Sequence, residues 1–369
     1  MSVVGIDIGD HSTYIAVAKQ GGVETIANDY SQRNTPTVVA LGGRQRFMGV
    51  SAENQRNLHV KNTVSYFKNF LGRSFKDEYV QKELKEIGSD VVELEDGGIG
   101  FHIGGKNYSP EQILAMMFTK VRDIVKSDQG TDIATCVVSV PNHFTDAQRN
   151  AVRDSAKIAD LNSIQLMDDT SSLALAYGRT KTDLPINENS PANVVFIDCG
   201  SSSLQASLVA ISQEKATVLG NSSSTCTGGK FFDKVVLEHF VGEIESKYKC
   251  HIRNRHKAIN KLQIGVEKIK KQMSANSNKL PFQIESLAQD IDVNLSISRN
   301  IFEELIKDPL DEIKRTLINL LDFTNVKKEQ IHSVEIVGGS IRIPAVKKII
   351  EEVFGIMPSS SLNADEGSF

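Results

Sequence analysis

The sequence predicts an α/β protein built as two related halves. Three observations carry this: 369 residues are too many for one ordinary domain, a motif recurs half a chain later, and strand signals alternate with helix signals throughout.

The first half opens on an apolar strand, Val3 to Ile6, that ends in Asp7-Ile8-Gly9-Asp10-His11-Ser12 and returns as a second strand, Tyr14 to Ala18. Ser109-Pro110-Glu111-Gln112 then supplies an N-cap, a proline at the first helical position and a capping-box Gln. The stripe Ile113, Met117, Val121, Ile124 or Val125 follows as the buried face of that helix. Thr135 to Val140 reads as a buried strand stopped by Pro141, and Thr145-Asp146-Ala147-Gln148 opens a helix running to about Ala159.

Pro185, Asn187, Asn189, Ser190 and Pro191 mark a linker near Thr182 to Ala192. After it the opening plan repeats: strand Val194 to Ile197, then Asp198-Cys199-Gly200-Ser201-Ser202-Ser203, then strand Leu204 to Ala210. Leu204, Ala206, Leu208 and Ala210 alternate with period two, which predicts a strand with one face buried. A single D-x-G is an ordinary turn, but two in the same setting argue for duplication. Ile259, Leu262, Val266, Ile269 and Met273 form the seam of a long helix that turns Lys261, Lys268, Lys270 and Lys271 elsewhere. Val334 to Val337 is a strand ending in Gly338-Gly339-Ser340, followed by a helix from about Pro344 to Phe354.

Charge and cysteines narrow the chemistry. With 42 Lys and Arg against 46 Asp and Glu, the net charge of −4 gives no global basic field for nucleic acid or an anionic membrane. Cys136, Cys199, Cys226 and Cys250 are far apart, without metal or redox spacing, so reduced fillers are expected. The N-terminus lacks a basic stretch and meets an acid at Asp7, and no apolar run reaches the ~18 residues of a membrane helix. A reducing cytoplasmic or nuclear compartment is therefore expected.

Each duplicated hairpin aims consecutive backbone amides and small side chains at one spot, a concavity suited to phosphate. A carboxylate at the strand end, Asp7 or Asp198, suits Mg²⁺, which takes one or two carboxylates and keeps waters and substrate oxygens. Two such turns could clamp a polyphosphate. The chain has no G-x-x-x-x-G-K-[ST], no G-x-G-x-x-G after a strand, no G-x-S-x-G and no H-R-D; Gly228-Gly229-Lys230 is followed by Phe231 and lacks the P-loop spacing.

The duplicated hairpin resembles the actin-like ATPase (ribonuclease H-like) fold of actin, hexokinase and the heat shock protein 70 chaperones. Asn28-Asp29, Arg33-Asn34-Thr35-Pro36-Thr37, Lys61-Asn62-Thr63-Val64 and Lys68-Asn69-Phe70-Leu71-Gly72-Arg73 are similar to the opening of the chaperone family. Val138-Ser139-Val140-Pro141, Phe144-Thr145-Asp146-Ala147-Gln148-Arg149, Ala174-Leu175-Ala176-Tyr177-Gly178 and Val337-Gly338-Gly339-Ser340-Ile341-Arg342-Ile343-Pro344 continue it in order. Asp10-His11-Ser12, Asp168-Asp169-Thr170, Gly200-Ser201-Ser202-Ser203-Leu204-Gln205 and Leu362-Asn363-Ala364-Asp365-Glu366 resemble the heat shock protein 110 (heat shock 70 kDa protein 4-like) branch. That branch implies a co-chaperone that exchanges nucleotide on, and so partners, the heat shock protein 70 ATPase domain. Unfolded clients are engaged only indirectly, and no peptide-binding domain falls within this chain.

The resemblance implies two lobes around a central nucleotide cleft, 1–183 with an insert at 37–109 and 184–369 with an insert at 226–302. ATP or ADP with Mg²⁺ is the implied cofactor. Asp7 and Asp198 would hold Mg²⁺ through water, and Lys68 would lie near the γ-phosphate. Gly9, Gly200, Ser201, Ser202 and Ser203 would cradle phosphate, with Asp10 and His11 replacing two hydroxyl residues beside it. Gly228 and Gly229 match the ribose-side loop; Glu267, Lys270, Lys271, Ser274, Gly338, Gly339, Ser340 and Arg342 match the adenosine pocket, Arg342 stacking on the base; Asp365 matches the last contact. On spacing alone, Lys270 and Lys271 are a solvated helix face. Asp169 stands one methylene short of the family's Glu, so slow hydrolysis is expected beside tight binding. A self-cycling ATPase chaperone domain and a small-molecule kinase of the same fold are the alternatives.

Overall fold

The computed structural model describes residues 2–42, 45–56, 58–84, 89–187, 189–288 and 291–362. These form two compact units, 2–176 and 177–362, divided between Ala176 and Tyr177 inside the helix Asp169–Thr180.

In the first unit the sheet runs Ile164–Asp168, Ile133–Val140, Ser2–Ile8, Ser12–Lys19, Gly22–Thr25, with Thr35–Pro36 also beside Ser12–Lys19. The hairpin Ser2–Ile8/Ser12–Lys19 is antiparallel, whereas Ile133–Val140 lies parallel to Ser2–Ile8 and to Ile164–Asp168. A parallel pair needs a crossover, and the helix Asp146–Ile158 provides it between the last two strands. Pro110–Gln129 starts on a complete Ser109/Gln112 capping box, and Asp146–Ile158 on a Thr145/Gln148 one. Val4, Ile6 and Ile8 pack with Ile113, Met117, Val121 and Val125 in one core. Smaller three-stranded sheets, Val38–Gly42/Gln45–Met48/Thr63–Ser65 and Asp90–Glu93/Ile99–Ile103/Lys106–Tyr108, complete the unit.

The second unit repeats the plan. Its sheet runs Ala216–Ser224, Leu204–Ile211, Ala192–Cys199, Ile331–Val337, with the last pair parallel and the others antiparallel. The same register recurs: Asp7 faces Tyr14 and Ser139, and Asp198 faces Gln205 and Val337. Helix His256–Ala275 buries Leu262, Val266, Ile269 and Met273 in a core shared with Phe240 and Phe282, whose rings stack at 4.0 Å.

One expectation is corrected. Leu204–Ile211 is buried at all eight positions rather than on one face. Helix Lys307–Thr324 packs against it, while on the other face Tyr177 meets the ring of Phe196, the residue paired with Ser207, edge-on at 5.5 Å. The polar residues between its apolar ones are interior groups: Gln205 is buried, and Ser207 Oγ donates to Asn221 Oδ1 at 2.5 Å.

All four cysteines are free, and only Cys226 is exposed. Burial pushes the Cys136 thiol up to about 11 and raises that of Cys199 further. Among the described residues no helix is long and apolar enough to cross a membrane.

Candidate functional site

Both repeats close with the same bond: Gly9 N–H donates to Ser12 O, and Gly200 N–H to Ser203 O, each at 3.0 Å. A Cβ on Gly9 would fall 2.7 Å from Ser12 O, so the tight first turn excludes a side chain there. The parallel strands end side by side in the first unit, which brings Asp7, Ser139 and Asp168 to one end of its sheet. Ligands in α/β sheets gather at this carboxyl end.

Asp7 is half-buried and accepts from Ser139 Oγ at 3.1 Å. Next along the strand, Ile8 O accepts from Lys68 Nζ at 2.7 Å. Lys68 rides a short helix, Phe67–Phe70, anchored by buried Phe67 and Phe70. Gly72, in the left-handed region at φ 62°, lies so close to Ala147 that a Cβ would fall 2.6 Å from its carbonyl carbon. The lysine is thus set against the hairpin by packing on both sides of it. At the turn's tip Asp10 is buried and His11 exposed; the His11 carbonyl accepts from Thr37 N–H at 3.0 Å.

Asp169, buried, begins the helix Asp169–Thr180, and its carbonyl accepts from Ser172 Oγ at 2.6 Å. Its neighbour Asp168 pairs with Arg149 at 2.5 Å.

In the second unit a set of glycines supports the turn from behind. Gly229 N–H donates to Gly200 O at 3.1 Å and Lys230 N–H to Ser201 O at 2.8 Å. Gly228, at φ 123°, approaches so closely that a Cβ would sit 2.8 Å from Ser201 O. Gly338, at φ 92°, abuts Asp198, and a Cβ there would overlap Cys199 O and Asp198 Oδ1. Ser340 Oγ donates to Gly200 O at 2.8 Å. The amides of Gly200, Gly229 and Lys230 are therefore used within the support, and at the tip of the turn Ser202 is buried between the half-buried Ser201 and Ser203.

Lys270 joins this group: Nζ donates to Gly229 O at 3.1 Å and to Asp233 Oδ2 at 2.6 Å. The solvated-face alternative fails for Lys270, whose side chain is 13% exposed, but describes Lys271, 67% exposed and paired with Glu267 at 2.6 Å. Ser274 Oγ donates to Lys270 O at 3.1 Å. Gly339 and Arg342 are exposed on the short helix Gly339–Arg342. Asp365 lies outside the described residues.

Three side chains escaped the sequence reading. Ser139 orients Asp7, and Asp233 neutralises Lys270 from 37 residues away, a separation with no spacing signal. His143 is the third: burial, with help from Lys68, pulls it down to about 4 against the opposing charge of Asp10. Only its place just after Pro141 in a matched segment could have drawn attention to it.

A family model described as Hsp70 protein matches residues 3–367. Heat shock 70 kDa protein 4 of Rattus norvegicus is 44% identical over 370 residues, covering 99% of this chain and 44% of that protein. Heat shock 70 kDa protein 4 of Homo sapiens matches with the same identity and coverage. The 97 kDa heat shock protein of Strongylocentrotus purpuratus is 42% identical, covering 99% of this chain and 42% of its own length. The chain thus spans less than half the length of these relatives.

Proposed function

The chain belongs to the Hsp70 family, and from that premise we propose that it is the ATP-binding domain of a heat shock protein 110-like co-chaperone that acts with heat shock protein 70 in protein folding under stress. The relatives named Heat shock 70 kDa protein 4 agree with the branch expected from the sequence.

The observation that carries the reading is the pair of turns closed by identical bonds, each beginning two residues after a strand-end carboxylate. ATP or ADP with Mg²⁺ fits the residues present. The glycine backing of Gly228, Gly229 and Gly338 leaves the turn tip at Ser201 to Ser203 uncovered by side chains from those positions. Asp7 and Asp198 each offer hard carboxylate oxygens near the end of a strand. Such donors suit Mg²⁺, which takes one or two carboxylates and keeps waters and phosphate oxygens in its shell. When bound, Mg²⁺ neutralises phosphate charge. Asp7, oriented by Ser139, and Asp198, backed by Gly338, would hold its waters. Lys68 would place a positive charge beside the γ-phosphate, and Ser203 would offer a hydroxyl.

Asp169 would orient the attacking water, but its buried side chain is shorter than the family's Glu. Turnover is therefore slow while affinity is kept, because positioning dominates phosphoryl transfer. The adenosine would rest among Glu267, Lys271, Ser274, Gly339 and Arg342, with Lys270 held by Asp233 as support for the Gly229 turn. A small-molecule kinase is the poorer reading, since membership in the Hsp70 family supplies no sugar or acetate site.

The partner follows from linkage. If nucleotide favours the conformation that docks on a heat shock protein 70 ATPase domain, partner affinity must depend on nucleotide and the partner must tighten nucleotide in return. Calorimetric titration of such a domain into this chain with ATP, with ADP and without nucleotide is expected to give the tightest binding with ATP. Equal affinities in the three conditions would contradict nucleotide-gated exchange.

A further inference from the structure

Ile331–Val337 is the edge strand of the second unit's sheet, and edge backbone left open frays or recruits other chains. A short strap closes it. Ser359 N–H donates to Val334 O at 2.8 Å and Ile336 N–H to Ser359 O at 2.9 Å, forming a parallel bridge. Ser359, Ser360 and Ser361 are exposed and add no apolar burial of their own, although Leu362 just beyond them is buried.

Glu335 holds them. It is 2% exposed; Oε1 accepts from Ser359 Oγ at 2.7 Å, and Oε2 accepts from Ser361 Oγ at 2.9 Å and from Ser361 N–H at 3.1 Å. Among the described residues no cation pairs with it. A buried carboxylate without hydrogen bonds is costly, so these three donors and the carboxylate hold one another in place. Gly338 lies three residues further along the same chain, close against Asp198, and Ser340 donates to Gly200 O.

We propose that Glu335 is a positioning residue for the Asp198–Ser203 turn: by pinning the Ser359–Ser361 strap over the edge strand, it fixes the strand end from which Gly338 and Ser340 support that turn. The proposal rests on the nucleotide-binding reading.

The test compares Glu335→Ala, Ser361→Asp and Glu335→Gln with the unaltered chain. Amide exchange at Ile336 and Ser359 reads the strap, and calorimetric titration with Mg-ATP, well below the melting temperature, reads the turn. Ser361 is exposed, so Ser361→Asp places a second carboxylate beside Glu335 without cutting into the core, and it decides the matter if Glu335→Ala does not fold. Both variants are expected to speed exchange at the two amides by about tenfold or more, leaving the helix Pro110–Gln129 protected. Both are expected to weaken Mg-ATP binding by about fivefold, and Glu335→Gln, which keeps acceptor capacity, to restore most of each effect. A merely structural glutamate would lower the melting temperature and leave affinity unchanged. Faster exchange with unchanged affinity therefore overturns the positioning role, and unchanged exchange overturns the latch itself. If the unaltered chain binds no Mg-ATP, the nucleotide reading has failed and the positioning role fails with it, while exchange alone still decides whether Glu335 holds the strap.

Discussion

His143 ties a single residue to the stability of the fold. Its ordinary value of 6.5 falls to about 4, first through burial and then through the Lys68 charge, while Asp10 opposes the shift. The ring's Nδ1 is buried without a partner among the described residues. Below 6.5 the unfolded chain gains a proton that the folded chain refuses until about 4. The contribution is therefore complete above 6.5 and is lost as pH falls toward 4, by up to about 3 kcal/mol. Denaturant titrations at several values across this window are expected to show a shallower loss of stability in His143→Gln than in the unaltered chain; parallel slopes would assign the acid sensitivity to other groups. Asp169 supports a second expectation at this scale. Asp169→Glu adds the methylene that the family's residue has and should raise the single-turnover rate of ATP hydrolysis with little change in nucleotide affinity. An unchanged or lower rate would count against the geometry given to Asp169.

The elements differ in how far local chemistry determined them. The helices after Ser109 and Thr145 were legible because a capping box is written within four residues, and each forms as read. The hairpins were legible because the same D-x-G turn follows an apolar strand twice, and both turns close with the same bond, Gly9 to Ser12 and Gly200 to Ser203. The strand Leu204–Ile211 was read for one face only. Its polar positions, Gln205 and Ser207, look like a wet face until the sheet supplies Asn221 and the neighbouring Phe196–Tyr177 pair, none of which its own alternation encodes. The site divides in the same way. Asp7, Asp198 and the glycines sit in motifs, whereas Asp233, Ser139 and Glu335 matter through partners brought close only by the fold.

At the scale of the whole molecule, two units each bury their own core, and the second reuses the sheet plan of the first around a second D-x-G turn. Duplication of that plan gives the nucleotide-binding claim its weight, and ligand linkage tests it most directly: a ligand that binds only the folded chain stabilises it by RT ln(1 + [L]/Kd), about 2.7 kcal/mol at a hundred times Kd. A Cβ on Gly200 would have its nearest neighbour, Ser203 O, at 3.8 Å, so Gly200→Asp adds an anion to the turn with little steric conflict. The decisive measurement is the melting temperature of the chain and of Gly200→Asp, each with and without millimolar Mg-ATP. The account predicts a clear rise for the unaltered chain that is largely lost in Gly200→Asp; no rise in the unaltered chain, or an equal rise in both, would contradict it.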